Sequence, residues 1–574
     1  MDTNIPDYFT DPVSGADALS SLVETRFNRK IRGRGRPNKD GGTGRRQRPE
    51  RIKTESDLLV DLNNPHQMID ELLKVLSSHP NIYRRGDKLV TIRKGDNGGS
   101  IATEITPDAL VVLIHETCRP YNNKNIGGEV AARDCQFPPR LCKMFLDNKR
   151  FDGIKKLTGI SSSPLIFPDG EIVTVNGYNQ KSGIFLENQI FINIDTIGSI
   201  QEAKAKLQII RDHIASFAFA DSPVISDANG NYRVNTAGLP GADESSALAA
   251  IFSAVVRSSI DISPGLMVTA PPTSGSGAGK GLFCRIVSSI AHGRRFNPMT
   301  AAPNGDHAET EKRLASNLMD GDAILFMDNI NGSALKSDML ASAITESPIK
   351  LRPLGGSKTV TIEAKPFVVV AGNGLSPSED LVRRFLYVAL DPRCDDAETR
   401  RFDCDIQAAT IERRAELLGC ILSIIQWGLR SNLNQAKPFG NYIQWRRMVS
   451  DVLVALGCVD MSDRVAEMKR SDPHRIRKID AFNVWWKYHC DTPMKLSELN
   501  EDVKQALVPG YKSRNHLQAG FQYYVNVRIA GYHMIPSEKR DDASYYRLER
   551  TSAIVGSLAN EFASSSNEIT DLEL

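Results

Sequence analysis

The chain has 574 residues, 41% of them hydrophobic, and a formal net charge of +2, which predicts an ordinary globular protein of about three or four domains. Its longest apolar runs, about seven residues, fall far short of the roughly 20 that span a bilayer, and Met1 to Asp7 is acidic without the apolar stretch of a secretory signal. Nine cysteines without a CxxC pair point to reduced thiols, no metal cluster and a cytoplasmic location, against a membrane protein or a disulfide scaffold.

Residues 1–65 read as a disordered basic tail. Between Arg26 and Lys53, twelve Lys or Arg residues stand against only Asp40 and Glu50, with frequent Gly and almost no aromatics. Such a composition cannot bury enough apolar surface to fold alone. Within it, Arg32-Gly33-Arg34-Gly35-Arg36-Pro37 resembles an AT-hook. An extended Arg-Gly-Arg backbone fits the narrow minor groove of A·T-rich DNA, with the Arg34 and Arg36 guanidiniums along its floor. The plainer alternative is a basic tail that binds any polyanion. Both name nucleic acid as a partner.

Residues 66–245 read as an α+β module. Apolar spacing predicts a helix over His66 to Leu76, and Lys88 to Arg93 alternates as a strand. Val175-Asn176-Gly177-Tyr178 predicts a hairpin turn between Ile172 to Val175 and Ile184 to Leu186. No catalytic constellation appears here, and the paired acidic residues a primase needs for its metals are not apparent. A collar or DNA-handling role is expected.

Residues 246–435 carry the chemistry. Leu266-Met267-Val268 predicts a strand and Leu282 to Ala291 a helix, joined by a glycine-rich loop that ends Ser274-Gly275-Ser276-Gly277-Ala278-Gly279-Lys280-Gly281. In that setting backbone N–H groups cradle a nucleotide triphosphate and one lysine reaches its β- and γ-phosphates. Two positions depart from the consensus: Ser274 stands for the first glycine, and Gly281 for the Ser or Thr that would ligand Mg²⁺. Downstream, the apolar run Ala323 to Met327 ends in Asp328 and Asn329, a carboxylate placed to hold Mg²⁺. Between these, His307 to Leu318 reads as a helix bearing Glu309 and Glu311. Ile349 to Leu354 and Thr359 to Glu363 flank Gly355-Gly356-Ser357-Lys358 as a hairpin, with Lys350 and Arg352 on its stem and Lys358 at its tip. The run Pro366 to Ala371 ends at Gly372-Asn373-Gly374, where the Asn373 amide can orient an attacking water. Arg383 and Arg384 precede a further strand, Phe385 to Leu390, and Asp405 to Leu429 reads as a helical lid.

Residues 436–550 predict helices over Trp445 to Leu456, Lys478 to His489 and Ser497 to Ala506. The runs at Tyr532 to Ile535 and Tyr545 to Leu548 then form a β-wing around a polar turn. Helices followed by such a hairpin suggest a winged helix, a duplex-binding module. Residues 551–574 read as a disordered acidic tail.

Several of these segments together resemble a known family. Gly275 to Gly281, Phe326-Met327-Asp328-Asn329, Ala371-Gly372-Asn373-Gly374 and Asp380-Leu381-Val382-Arg383-Arg384 look like the helicase-type AAA+ ATPases of phages, plasmids and mobile elements. These are related to the minichromosome-maintenance and superfamily three helicases. Tyr83-Arg84-Arg85-Gly86, Gly177-Tyr178-Asn179 and Pro438-Phe439-Gly440 resemble the flanking regions. The resemblance implies an α/β P-loop NTPase core of AAA+ type that uses ATP and Mg²⁺ in a homo-hexamer. It also implies Arg383 or Arg384 as an arginine finger toward the next subunit, and the 349–363 hairpin in a central pore gripping single-stranded DNA. The family usually carries a catalytic Glu where Asn329 stands, so Glu309 or Glu311 is the candidate base. The expected function is an ATP-dependent DNA helicase or translocase for replication of a mobile element. The alternatives are a DNA-binding AAA+ ATPase that loads or remodels partners, and a nucleotide-gated DNA scaffold.

Overall fold

The computed structural model describes residues 57–550 except 96–97, 127–128, 189, 272–276, 295, 297, 301–306, 331–333, 336, 352–358, 378, 403, 472 and 538–543. Arg34 and Arg36, the loop residues Ser274, Gly275 and Ser276, the hairpin residues Arg352 and Lys358, and the acidic tail lie outside the described residues. The described residues belong to one compact unit.

The first described module opens with helix α1 (Pro65–Ser77), capped by the Asn64 side chain, which accepts from the Gln67 N–H. Its apolar face, Met68, Leu72 and Leu76, is buried with Leu110, Phe137 and Phe145 in a separate core. Strands β1 (Tyr83–Arg85), β2 (Lys88–Lys94) and β3 (Ser100–Glu104) form an antiparallel sheet in that order. A second sheet joins β4 (Gly159–Ser161), β5 (Gly177–Asn179) and β6 (Ile184–Leu186) in the order β5-β6-β4.

Here the expected Asn176-Gly177 turn is displaced. Gly177 begins β5, which pairs with β6, while Ile172–Val173 pairs instead with Leu165–Ile166. The reversal occurs over residues 180–183, where Gly183 takes φ +70° and donates to the Asn179 carbonyl at 2.9 Å. The Asn179 side chain accepts from the Ser182 N–H at 3.0 Å. A local Asx-type turn outcompetes the Asn-Gly pair.

The central body is a five-stranded sheet. Helix α2 (Ala242–Val256) is buried over nearly its whole length, and the expected boundary between 245 and 246 falls inside it. Strand β7 (Gly265–Ala270) leads to helix α3 (Lys280–His292), and β8 (Met299–Thr300), helix α4 (His307–Asp320) and β9 (Ile324–Asp328) follow. A hairpin, β10 (Ile349–Leu351) and β11 (Val360–Ile362), precedes β12 (Phe367–Asn373) and β13 (Phe385–Ala389). The sheet order is β8-β9-β12-β7-β13, every pairing parallel. Consecutive residues such as Leu266, Met267 and Val268, or Val368, Val369 and Val370, are buried. Continuous apolar runs are what a parallel sheet covered on both faces demands.

The stretch expected as one lid helix is two, Ile406–Glu412 and α5 (Arg414–Arg430), meeting at Arg413. The Trp445 to Leu456 helix contains a π turn over Arg446–Ser450, and the Trp445 indole N–H donates to Ser253 on α2 at 2.7 Å. The described residues end in helices α6 (Pro473–His489), α7 (Glu501–Leu507) and α8 (Arg514–Phe521), then antiparallel strands β14 (Tyr532–Pro536) and β15 (Tyr545–Arg550). Phe482, Trp485, Val503, Leu517, Phe521, Met534 and Leu548 form their shared core. No helix among the described residues is long and apolar enough to cross a membrane.

Candidate functional site

Register brings the chemistry-bearing strand ends together. Ala270 at the end of β7 pairs with Asn373 at the end of β12, and Thr269 pairs with Ala389 of β13. On the other side, Met327 pairs with Val370, so Asp328 ends β9 on the same carboxyl edge. The described part of the glycine-rich loop enters α3 there.

Its glycines are required by geometry at two positions. Gly277 has φ +71°, and a Cβ on it would sit 2.6 Å from the Glu398 backbone nitrogen. Gly279, the residue before α3, has φ +93°. Both conformations are costly for an L side chain. Lys280 starts α3, half-buried, and burial lowers its ammonium pKa while the Asp328 carboxylate opposes that shift.

At Gly281, a departure from the consensus, a Cβ would lie 3.2 Å from Asp328 Oδ2, a tight approach that a side chain could make only if the Asp328 carboxylate moved by a few tenths of an ångström. Asn329 stands where the resemblance implies Glu. It takes φ +60°, and its own N–H donates to Asp328 Oδ1 at 2.8 Å. Asn tolerates the left-handed region, whereas Glu there is strained. Asn373 is half-buried, and the next residue, Gly374, donates its N–H to the Ala270 carbonyl at 3.1 Å.

The glutamates of α4 have partners of their own. Glu309 pairs with Arg313 at 3.3 Å and Lys312 at 3.7 Å, and Glu311 accepts from the Ser337 hydroxyl. Lys350 is exposed on β10 opposite Thr361.

Arg383 and Arg384 stand at the other end of the sheet. The Arg384 carbonyl accepts from the N–H of Gly265, the first residue of β7, while Lys280 lies beyond the last. Six residues of strand separate the two ends, roughly 16 Å at about 3.3 Å per residue. Arg383 is exposed, and Arg384 reaches Thr345 Oγ1 at 3.4 Å. With Glu346, Phe439 and Lys469 they line an open cleft of about 680 Å³.

Sequence reasoning missed Arg400. Its Nη2 donates to the Gly277 carbonyl at 3.1 Å, and burial lowers its pKa. In a stretch mixing Arg and Asp it reads as a solvated charge, and only the fold brings it to the loop. The loop is bounded on another side by Phe217, whose ring lies 3.5 Å from a Cβ built on Gly279 and meets Phe283 of α3 edge-on at 5.1 Å.

No protein-family model matches this chain, and no curated protein matches it in sequence. Among solved structures it is similar to the C-terminal region of NrS-1 in its apo A form. The identity is 11%, the TM-score is 0.33, and 83% of this chain and 99% of that chain are covered. At that score the likeness carries no argument about function.

Proposed function

We propose that the chain is an ATP-dependent DNA helicase or translocase whose central body is a P-loop NTPase core of AAA+ type. The observation that carries this reading is the carboxyl edge of the parallel sheet. There Gly277, Gly279 and Lys280 open a helix beside Asp328, with Asn373 on the neighbouring strand end. Backbone N–H groups at that helix start and the Lys280 ammonium would bind the triphosphate. Asp328 would hold Mg²⁺: that ion prefers one or two carboxylates with phosphate oxygens and water, and a lone aspartate beside a glycine fits it. Bound there, Mg²⁺ would supply charge neutralisation at the phosphates. Asn373 would orient the attacking water, and Arg400 would add positive charge at the loop.

Arg383 and Arg384 complete the reading only from another copy. Lying at the opposite end of the sheet from Lys280, they would serve a neighbour's nucleotide, which favours a ring such as a homo-hexamer. The C-terminal helices and β14–β15 support a winged-helix module for duplex DNA. Lys350 supports a DNA-gripping hairpin.

One observation favours a second reading, a nucleotide-gated DNA scaffold. The position after Asp328 holds Asn329 in a conformation that disfavours Glu, and Glu309 and Glu311 are engaged elsewhere. ATP hydrolysis with and without single-stranded DNA separates the two. DNA-stimulated turnover that vanishes in Lys280→Ala supports the motor. Tight ATP binding without turnover above that variant supports the scaffold.

A further inference from the structure

The first module contains a cavity that the nucleotide site does not use. It measures about 710 Å³, and Tyr83, Tyr178, Phe185, Lys155, Lys156 and Gln180 contribute to its lining. Tyr83 lies 5.3 Å from Tyr178, centroid to centroid, and meets Phe185 edge-on at 6.3 Å. The polar ends of both tyrosines are tied to backbone: Tyr178 donates to the Lys156 carbonyl at 2.7 Å and Tyr83 to the Pro80 carbonyl at 3.0 Å. What the tyrosines offer the cavity is therefore ring surface. Tyr178 and Phe185 are half-buried, and Lys156 is exposed. Among the described residues that line it there is no carboxylate.

The walls are fixed to the central body. Arg84 N–H donates to the Lys155 carbonyl at 2.7 Å and Leu157 N–H to the Arg84 carbonyl at 2.8 Å. The Lys156 ammonium pairs with Glu363, to which the Thr158 hydroxyl also donates at 3.3 Å. Glu363 directly follows β11, and a Cβ on Gly86 would meet the Thr361 carbonyl oxygen of that strand at 2.9 Å. The cavity wall and the β10–β11 hairpin thus meet through Glu363 and Thr361.

Aromatic faces beside ammonium groups are the surface that single-stranded nucleic acid fits, with bases stacked on rings and phosphates beside cations. A duplex keeps its bases paired and stacked inside and cannot present them to such a cavity. We infer that this cavity holds bases of single-stranded DNA on Tyr178 and Phe185, with an adjoining phosphate at Lys155, as a grip that needs no nucleotide. The grip is independent of ATP chemistry at Lys280, so it stands or falls apart from the motor reading.

The test uses the full chain, without ATP, and a fluorescein-labelled 20-nucleotide oligothymidylate, with affinity read by anisotropy. Salt at about 0.3 M weakens the purely phosphate-directed contribution of the basic N-terminal segment. Tyr178→Ala is expected to weaken binding about tenfold and Tyr178→Phe less than about twofold, because stacking needs the ring and not the hydroxyl. Should Tyr178→Ala lower the melting temperature, Lys155→Glu decides, with a loss of about fivefold or more expected from reversing the charge. Unchanged affinity in a folded Tyr178→Ala, or in Lys155→Glu if the alanine variant is unstable, overturns the inference. So does the absence of binding by the natural chain.

Discussion

At the carboxyl end of the central sheet the backbone is bent into rare conformations. Gly277, Gly279 and Asn329 have φ of +71°, +93° and +60°, Lys280 and Asp328 share a crowded helix start, and Arg400 closes on the loop. At the amino end Arg383 is exposed, and the cleft beside it is open. Strain and close packing gather where residues of one chain build a site together. On the proposed reading, the open, cationic end is the one a neighbouring copy completes, and one copy carries two half-sites roughly 16 Å or more apart.

The largest effect is expected from Lys280→Ala. ATP turnover should fall on the order of 100-fold or more, as for loss of a group that stabilises transition-state charge, with the unfolding transition unchanged. Retained turnover would remove the carboxyl end from the chemistry. A mixture of subunits then tests the amino end. Lys280→Ala and a double Arg383→Ala, Arg384→Ala variant should each be inactive, yet an equal mixture should recover about a quarter of the natural rate, the statistical share of intact head-to-tail interfaces. No recovery would mean that the two ends do not meet between copies.

Smaller effects probe how the carboxyl end is held. Ala397, Glu398 and Arg400 border the loop, and Thr410, in the helix that follows, is tied to the body by His213. Thr410 donates its hydroxyl to the Ile406 carbonyl at 2.6 Å, so its oxygen accepts from His213 Nε2–H at 2.8 Å. Burial lowers the His213 pKa from 6.5 to about 4. The unfolded chain therefore binds more protons below pH 6.5, and stability must fall as pH drops from 6.5 toward 4. Between pH 7 and pH 5 the natural chain should lose about 2 kcal/mol more unfolding free energy than His213→Gln, measured in urea. A parallel decline in the two proteins would sever that tie. The smallest effect is local: Asn329→Glu should destabilise by about 1 kcal/mol and Asn329→Gly by less, since only Glu resists the left-handed backbone. Equal stability of the two variants would leave the Asn329 conformation without that cost.

Much of the site was legible because it is local. Lys280, Asp328 and Asn373 each sit at the end of an apolar run or a glycine-rich turn, and burial of a parallel strand needs an unbroken apolar run whatever its neighbours are. The hairpin stems at Ile349–Leu351 and Val360–Ile362 were likewise readable from short-range alternation. The 180–183 turn was not, because Asn176-Gly177 carries an equally good local signal, and the choice between them was made by which strand β6 pairs with.

What the sequence alone determined is the order of elements and the residues at their ends, since hydrophobic periodicity and glycine conformation act within a few positions. The tertiary structure decided which of those ends meet. Arg400 reaches Gly277 across 123 positions, His213 reaches Thr410 across 197, and Tyr83 reaches Tyr178 through the packing of two sheets. The Ser337 partner of Glu311, the separation of Arg384 from Lys280 and the aromatic cavity follow from strand order and helix packing. Those depend on burying the whole core at once, and no local window of residues carries that information.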